Sequence, residues 1–458
     1  MNPHTNAGTD ILGKVHFIGI GGVGMSAVAR IMVARGVPVS GSDAKDLPVM
    51  SDLAAAGARI AVGYDAENLG DAETVVAGSA IRDDNPELAA ARQAGLPVLH
   101  RSEALAATMG DDAVVTVAGT HGKSTTTSMI TVLLRAAGLD PSFAVGANIP
   151  ALGVNAAHGT SGIFVAEADE SDGSFLNYRP RIAVVTNVEP DHLDYYGTAE
   201  AVYESFDRFT ALLPPDGLLI ACADDAGALA LAERTRARGA TRVVLYGTNE
   251  AADVRLLDDG PGRVAVANPA GQFPLALQVP GRHNALNAAA AFAVALELGV
   301  EPAAAAAGLA SFSGASRRFE LKGTARGVRV FDDYAHHPTE VRAALAAARS
   351  VAGDHKVHVL FQPHLFSRTR EFAAEFADAL NLADTALVLD IYPAREDPIP
   401  GVTSQLIADH LTGGGRLVAA DDAVATLAAA AGDGDVVLTV GAGDVTAYGP
   451  RIVEALHA

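Results

Sequence analysis

Three α/β domains in series are what the sequence predicts, and three observations predict them. The chain has 458 residues, more than one core holds at roughly 100–200 residues per domain. Short β-branched runs alternate with alanine-rich helical stretches along nearly all of it, the pattern of βαβ units around a parallel sheet. The alternation also restarts twice, at Ala113-Val-Val-Thr-Val117 and after Ser313-Gly-Ala315. The boundaries therefore fall near 1–111, 112–312 and 313–458.

Composition narrows the class. Hydrophobic residues make up 49% and charged residues 19%, which suits a globular chain and leaves little room for extended disorder. The opening Met-Asn-Pro-His-Thr-Asn-Ala-Gly-Thr is polar and reads as a tail. No basic segment leads into an apolar run, so no signal peptide is expected. No apolar stretch reaches the roughly 20 residues that span a bilayer. A cytoplasmic protein without membrane insertion follows. The net charge of −21 argues against nucleic acid, which demands a basic face. It also repels anionic small substrates, so these must be held by local cations and backbone N–H groups. The single cysteine, Cys222, lies in the apolar run Leu218-Leu-Ile-Ala-Cys222 and reads as a buried strand residue.

In the first domain VHFIGI, GGVGMSAVARIMVARG and VPVSGSD read as strand, glycine turn with helix, and strand, followed by ETVVAGSAI and PVLH. Gly19-x-Gly21-x-x-Gly24, with Gly22 between, follows the first strand, and Asp43 ends the second. This is a dinucleotide-type fingerprint with a candidate ribose-binding acid. The glycines admit close backbone approach, and the helix start offers N–H groups to a diphosphate. The loop does not distinguish NAD from UDP, and a purely structural glycine turn is the plainer alternative.

The second domain opens with a strand, then Ala118-Gly119-Thr120-His121-Gly122-Lys123-Ser124-Thr125, then a helix. Gly-Lys-Ser at a helix start is phosphate-loop chemistry: Lys123 is placed for β- and γ-phosphates and Ser124 for Mg²⁺. The strict pattern wants glycine at position 117, where this chain has Val117. GIFVAEAD, RIAVVTNVEPDH, GLLIACADD and TRVVLYG are the next strands. Glu167 and His192 are read as strand-end residues aimed at Ser124. Asp169 to Asp172 read as helix caps. Residues 252–279 form short strands, and helices cover 283–298 and 302–311. In the third domain VRVFDDYAHHP, HKVHVLFQPH, DTALVLDIY and DVVLTVGAGD are strands.

FIGIGGVGMSA, AGTHGKSTTT, EADESD, NVEPDHLDYY, GRHNALN, RRFE, DDYAHHPTE, FQPH, YPAREDPIPG and GAGD follow one another in an order and spacing that resemble the Mur ligases over nearly the whole chain. The family's variant loop G-T-x-G-K-[ST] accounts for Val117. The resemblance implies a Rossmann-like N-terminal domain, a P-loop-type central ATPase domain and a Rossmann-like C-terminal domain that binds an amino acid. It implies an ATP-dependent ligase that joins L-alanine to the lactoyl carboxylate of UDP-N-acetylmuramate through an acyl phosphate. The cofactors would be ATP and Mg²⁺, with Mn²⁺ as an alternative, in a monomer or homodimer. Gly19, Gly21, Gly22, Gly24, Asp43, Ser79 and Arg101 would hold the sugar nucleotide. Residues 118–125 with His283, Asn284, Asn287, Arg318 and Asp333 would hold ATP. Ser124, Glu167 and His192 would serve metals, and Lys123, Glu167, His192, Arg318 and His336 the chemistry. His337 and Arg368 would meet L-alanine. Leu365 stands where many relatives carry arginine. Without the resemblance, the histidine pair before Pro338 reads as the start of a helix. No lysine lies between Lys123 and Lys322, so the carbamylated lysine of several relatives has no counterpart, as in the alanine-adding branch. Within the family a ligase attaching a recycled peptide to the same sugar nucleotide is the competing reading. Outside it, a dehydrogenase would leave Lys123 idle, and a non-catalytic ATP switch would leave the His- and Arg-rich third domain unused.

Overall fold

The computed structural model describes residues 12–78, 80–260, 263–394, 396–413 and 415–457. The polar N-terminal tail and Ser79 lie outside them. The chain forms two compact units, one of residues up to Ala276 with Leu286–Phe312, the other of Leu277–Ala285 with the chain from Ser313. The first unit carries two sheets and the second carries one.

The N-terminal sheet runs Arg59–Val62, Val39–Asp43, Val15–Ile18, Thr74–Ala77 and Val98–His100 across its width. All neighbours are parallel. The order reverses at Val15–Ile18, and ligands gather at such a switch point, beyond the carboxyl ends of the strands. The strand's four residues are all buried because helices cover both faces.

The second sheet has ten strands. Its parallel centre joins Ala113–Ala118 to Ile163–Glu167 on one side and Ile182–Val185 on the other. The edges depart from the parallel expectation. Val154–Ala157 pairs antiparallel with Ser142–Ile149 at one edge. At the other, Val254–Asp258, Val264–Asn268 and Gly271–Leu275 form an antiparallel meander. Cys222 is buried in its strand as read, and burial pushes its thiol up to about 11.

The second unit's sheet is parallel except for the edge strand Glu320–Ala325, antiparallel to Val328–Asp333. Successive residues of its central strands face opposite cores. Val436, Leu438 and Val440 meet Val341, Leu345 and Phe376, while Val437 and Leu360 meet Leu427, Ile452 and Leu456. This two-sided burial is why the strands read as unbroken apolar runs.

Candidate active site

The first glycine loop is held by the strand beside it. Gly19 and Ile20 both donate their N–H to the Ser42 carbonyl at 2.8 and 2.9 Å. Gly21 donates to Asp43 Oδ2 at 3.0 Å. A Cβ at Gly21 would lie 2.5 Å from Leu47 Cδ1, and one at Gly24 would lie 2.8 Å from Arg101. A side chain at either position would push the Leu47 or Arg101 side chain aside. Gly22 would meet only ordinary contacts, so space does not demand it. Asp43, expected at a ribose, is already tied to the loop it faces. The helix Val23–Ala34 has neither a side-chain cap nor an acidic residue in its first turn. Its first N–H groups have no intrahelical acceptor, and an anion suits them.

The second loop is pinned from residues 186–189. Asn187 Oδ1 accepts from the His121 N–H at 2.8 Å, and Thr186 Oγ1 donates to the His121 carbonyl at 2.5 Å. The Thr120 hydroxyl donates to the Glu189 carbonyl and accepts its N–H. Gly119 and Gly122 have φ of 134° and 83°. A Cβ at Gly119 would sit 2.1 Å from Thr186 Oγ1. Val117 is still inside the sheet, paired with Val184 and Glu167. The turn starts two residues later than in the strict pattern, so position 117 never needed a glycine. Asn287, expected beside an adenine, lies with its side chain against Gly122.

Lys123 starts the helix Lys123–Ala136 and curls its ammonium back onto the loop. It donates to the Gly119 carbonyl at 2.8 Å, the Thr120 carbonyl at 3.1 Å and Glu170 Oε1 at 2.9 Å. Burial opposes its charge, but the Glu170, Asp169 and Glu167 carboxylates more than offset that and hold its pKa well above the ordinary value. Glu170 is pushed up to about 7 by burial, with Lys123 pulling it down and Asp169 adding to the rise. Its Oε2 is buried without a hydrogen-bond partner among the described residues. One ammonium therefore faces the carboxyl groups of Glu167, Asp169 and a partly protonated Glu170, which leaves net negative charge for a cation. Glu170 was not singled out in the sequence, although it lies inside EADESD.

Glu167 ends its strand as read. Its Oε1 accepts from the Ser124 hydroxyl at 3.0 Å, and its Oε2 accepts from the Gly146 N–H at 2.7 Å. A hydroxyl and a carboxylate side by side form the oxygen donor set that Mg²⁺ prefers, and the residues fit that ion. His192 corrects an expectation. The strand read through NVEPDH stops at Val185, and His192 comes from a loop at φ 56°. Its Nε2 lies 3.8 Å from Glu170 Oε1 and 3.6 Å from Asp191 Oδ2. Asp169 and Asp172 accept from Ser171 and Ser174 N–H groups, as turn caps do.

In the second unit, Arg318 stands between two residues with positive φ, Arg317 at 60° and Phe319 at 49°. Both guanidinium groups lie near the Tyr334 ring, at 4.8 and 5.1 Å. Asp333 accepts from the Phe319 and Ala335 N–H groups, each at 2.8 Å. Burial raises its carboxyl to about 6 while Arg318 lowers it. The residue expected at a ribose thus braces two turns. His337 caps the helix Pro338–Ala352, with proline at its start as read. His336 packs edge-on against Tyr334 and 6.0 Å from His364, which stacks on Tyr392. Arg368 is buried in the first turn of the helix Phe366–Leu380. Leu365, just before it, is buried at φ 71°.

Asn284 donates to the Pro280 carbonyl at 2.6 Å. Burial lowers the His283 imidazole to about 4, with Glu340 opposing. The folded protein therefore holds His283 neutral where the unfolded chain, with the ordinary value near 6.5, takes a proton. Stability falls as pH drops from about 6.5 towards 4. His283→Asn is expected to flatten that decline, and the difference in melting temperature between parent and variant, followed from pH 7.5 to about 4.5, checks it. Parallel melting curves would contradict the assignment.

Three family models match the chain: the "Mur ligase family, catalytic domain" over residues 14–112, the "Mur ligase middle domain" over 117–295 and the "Mur ligase, glutamate ligase domain" over 317–443. The chain is 80% identical to a UDP-N-acetylmuramate–L-alanine ligase of Paenarthrobacter aurescens over 450 residues, 98% of each protein. It is 82% identical to the enzyme of that name from an Arthrobacter species, over 98% of this chain and 96% of the other. Among solved structures, a UDP-N-acetylmuramate-alanine ligase from Thermotoga maritima superposes with a TM-score of 0.78 at 29% identity, covering 97% of this chain and 99% of that one. A murein peptide ligase from Psychrobacter arcticus gives 0.71 at 27% identity, with the same coverage.

Proposed function

The chain belongs to the Mur ligase family, and we propose that it joins L-alanine to UDP-N-acetylmuramate at the expense of ATP, in a cytoplasmic step of peptidoglycan precursor synthesis. What carries the reading is a pair of phosphate-type loops in one compact unit, the second with a lysine, a serine and a glutamate converging on it. One loop serves the UDP diphosphate and the other the triphosphate of ATP. The whole-length relatives named as alanine ligases select the amino acid.

A carboxylate does not react with an amine until it is activated. An oxygen of the lactoyl carboxylate attacks the γ-phosphorus, the bond to the β-phosphate oxygen breaks, and ADP leaves. The free amine of L-alanine then attacks the acyl carbon, loses a proton to solvent, and the acyl–oxygen bond breaks to release phosphate. The first step brings two anions together, so its barrier is electrostatic. Lys123 places an ammonium against the phosphates, exchanging Glu170 and the loop carbonyls for them. Ser124 and Glu167 would hold Mg²⁺, with His192 nearby, and the bound ion would neutralise phosphate charge. Arg318 is proposed for the γ-phosphate, His336 for the reacting groups, and His337 with Arg368 for L-alanine. Asp43 is proposed for the sugar nucleotide and Asp333 for the ATP ribose, each from a loop that it also braces.

ADP release in the presence of UDP-N-acetylmuramate and each amino acid in turn tests the reading. Turnover with L-alanine supports it. Turnover with the peptide L-alanyl-γ-D-glutamyl-meso-diaminopimelate alone would move the protein to the peptide-recycling branch.

Arg368 gives a narrower expectation. Alanine offers only a methyl group to an apolar contact, so its carboxylate is the main handle, and guanidinium grips a carboxylate through two parallel hydrogen bonds. Arg368→Lys is expected to raise KM for L-alanine more than about tenfold, the scale of one hydrogen bond to a charged group. KM for ATP should stay where it was. The reverse pattern would transfer Arg368 to the nucleotide.

A further inference from the structure

We propose that Glu340 is a positioning residue that holds Arg318 and the His336–His337 turn as one unit; the proposal rests on the reading of Arg318 and His336 given above. Glu340 lies in the first turn of the helix Pro338–Ala352 and is 11% exposed. Its two oxygens face different groups. Oε2 accepts from the His336 N–H at 2.9 Å and the His337 N–H at 3.3 Å, and lies 3.4 Å from His336 Nδ1. Oε1 lies 4.0 Å from Arg318 Nη1.

The first set of contacts is a helix cap. His337 is the capping residue and Glu340 reaches back to its N–H, a reciprocal arrangement that glutamine supplies as well as glutamate. A cap alone does not call for a charge. It also leaves unexplained why the second oxygen is turned to an arginine 22 positions back in the chain. At 4.0 Å that contact is too long for a hydrogen bond, so it acts through charge.

The surroundings give the charge a task. Arg318 projects from a backbone in which both neighbours take positive φ, a conformation that side-chain-bearing residues hold only when other contacts enforce it. The Tyr334 ring supports the guanidinium from one side, and His336 packs against the edge of the same ring. Asp333 fixes the Arg317–Phe319 turn through the Phe319 N–H and the turn at Tyr334 through the Ala335 N–H. Glu340 closes this ring of contacts between RRFE and DDYAHHPTE. It pre-orients a cation and an imidazole that must otherwise be ordered when the phosphates arrive.

Glutamine separates the two roles. Glu340→Gln keeps the cap and should leave the melting temperature within about 2 °C of the parent. Positioning through charge predicts a fall in kcat of at least about tenfold, measured by ADP release, with KM for UDP-N-acetylmuramate unchanged. On an Arg318→Ala background the same substitution should cost less than about twofold more, because its effect passes through Arg318. An E340Q enzyme as fast as the parent, or a full additive loss on the R318A background, would each overturn the proposal. An R318A enzyme as fast as the parent would overturn it by a distinct route, since the reading of Arg318 then fails first.

Discussion

Lys123→Ala is expected to lower turnover on the order of a thousandfold, the scale of removing one preorganised charge from a developing anion. KM for UDP-N-acetylmuramate should survive, because the first glycine loop is built from other residues. The structure adds a condition to the experiment. Lys123 is also the cation that compensates Glu170, Asp169 and Glu167, and stripping one partner from a buried pair can cost about 3–5 kcal/mol. Glu170 already stands at about 7 and rises further without the ammonium. The folded variant then keeps a proton that the unfolded chain, with its ordinary value of 4.5, has released. Its stability should therefore fall from about pH 4.5 upward and go on falling above 7, where the parent's Glu170 has already ionised. Turnover is best compared near pH 6.5, with melting curves beside it. A folded Lys123→Ala enzyme with near-parental turnover would remove the second loop from the reaction.

The local motifs were legible in the sequence because their chemistry is local. A glycine at positive φ between a strand and a helix leaves its mark within a few residues, so both loops and the strand-end position of Glu167 could be read from short windows. The alternation of apolar and alanine-rich stretches likewise gave the parallel centres of the three sheets. The antiparallel edges left less trace. Glu320–Ala325 reads Glu-Leu-Lys-Gly-Thr-Ala and carries an irregularity between Leu321 and Gly323. Half exposed and polar, it has neither the unbroken apolar run nor the clean alternation that marks a strand.

Burial and distant pairing were not legible. Nothing in Glu-Ala-Asp-Glu-Ser-Asp says which carboxylate meets Lys123, 47 positions away, and it is Glu170. Asp43 and Asp333 stood where a ribose-binding acid is expected, yet each has backbone N–H groups of its own loops as partners. A carboxylate at a strand end also serves to brace a turn, and the two roles leave the same mark in the sequence. His192 shows the opposite case. The strand expected to carry it ends at Val185, but the loop 186–192 brings the imidazole to Glu170 all the same.

Glu167→Gln is expected to lower turnover by about a hundred- to a thousandfold at ordinary Mg²⁺ and to shift the dependence on Mg²⁺ to higher concentration. The two side chains have nearly the same shape, so the difference lies in charge and donor pattern. Glu167 accepts from the Ser124 hydroxyl on one oxygen and from the Gly146 N–H on the other. Glutamine can keep its carbonyl towards Gly146 and offer its amide to Ser124 Oγ, since a hydroxyl accepts as well as donates. The fold should therefore persist, and the melting temperature in the absence of metal should change little. What is lost is a negative charge and an oxygen ligand beside Ser124. Ser124→Ala removes the neighbouring ligand without touching the charge, and it should shift the Mg²⁺ dependence in the same direction by less. Chelation of divalent ions should abolish turnover in the parent. If Glu167→Gln titrates with Mg²⁺ as the parent does while still losing turnover, Glu167 acts by holding Gly146 and Ser124 in place, and the cation is held elsewhere.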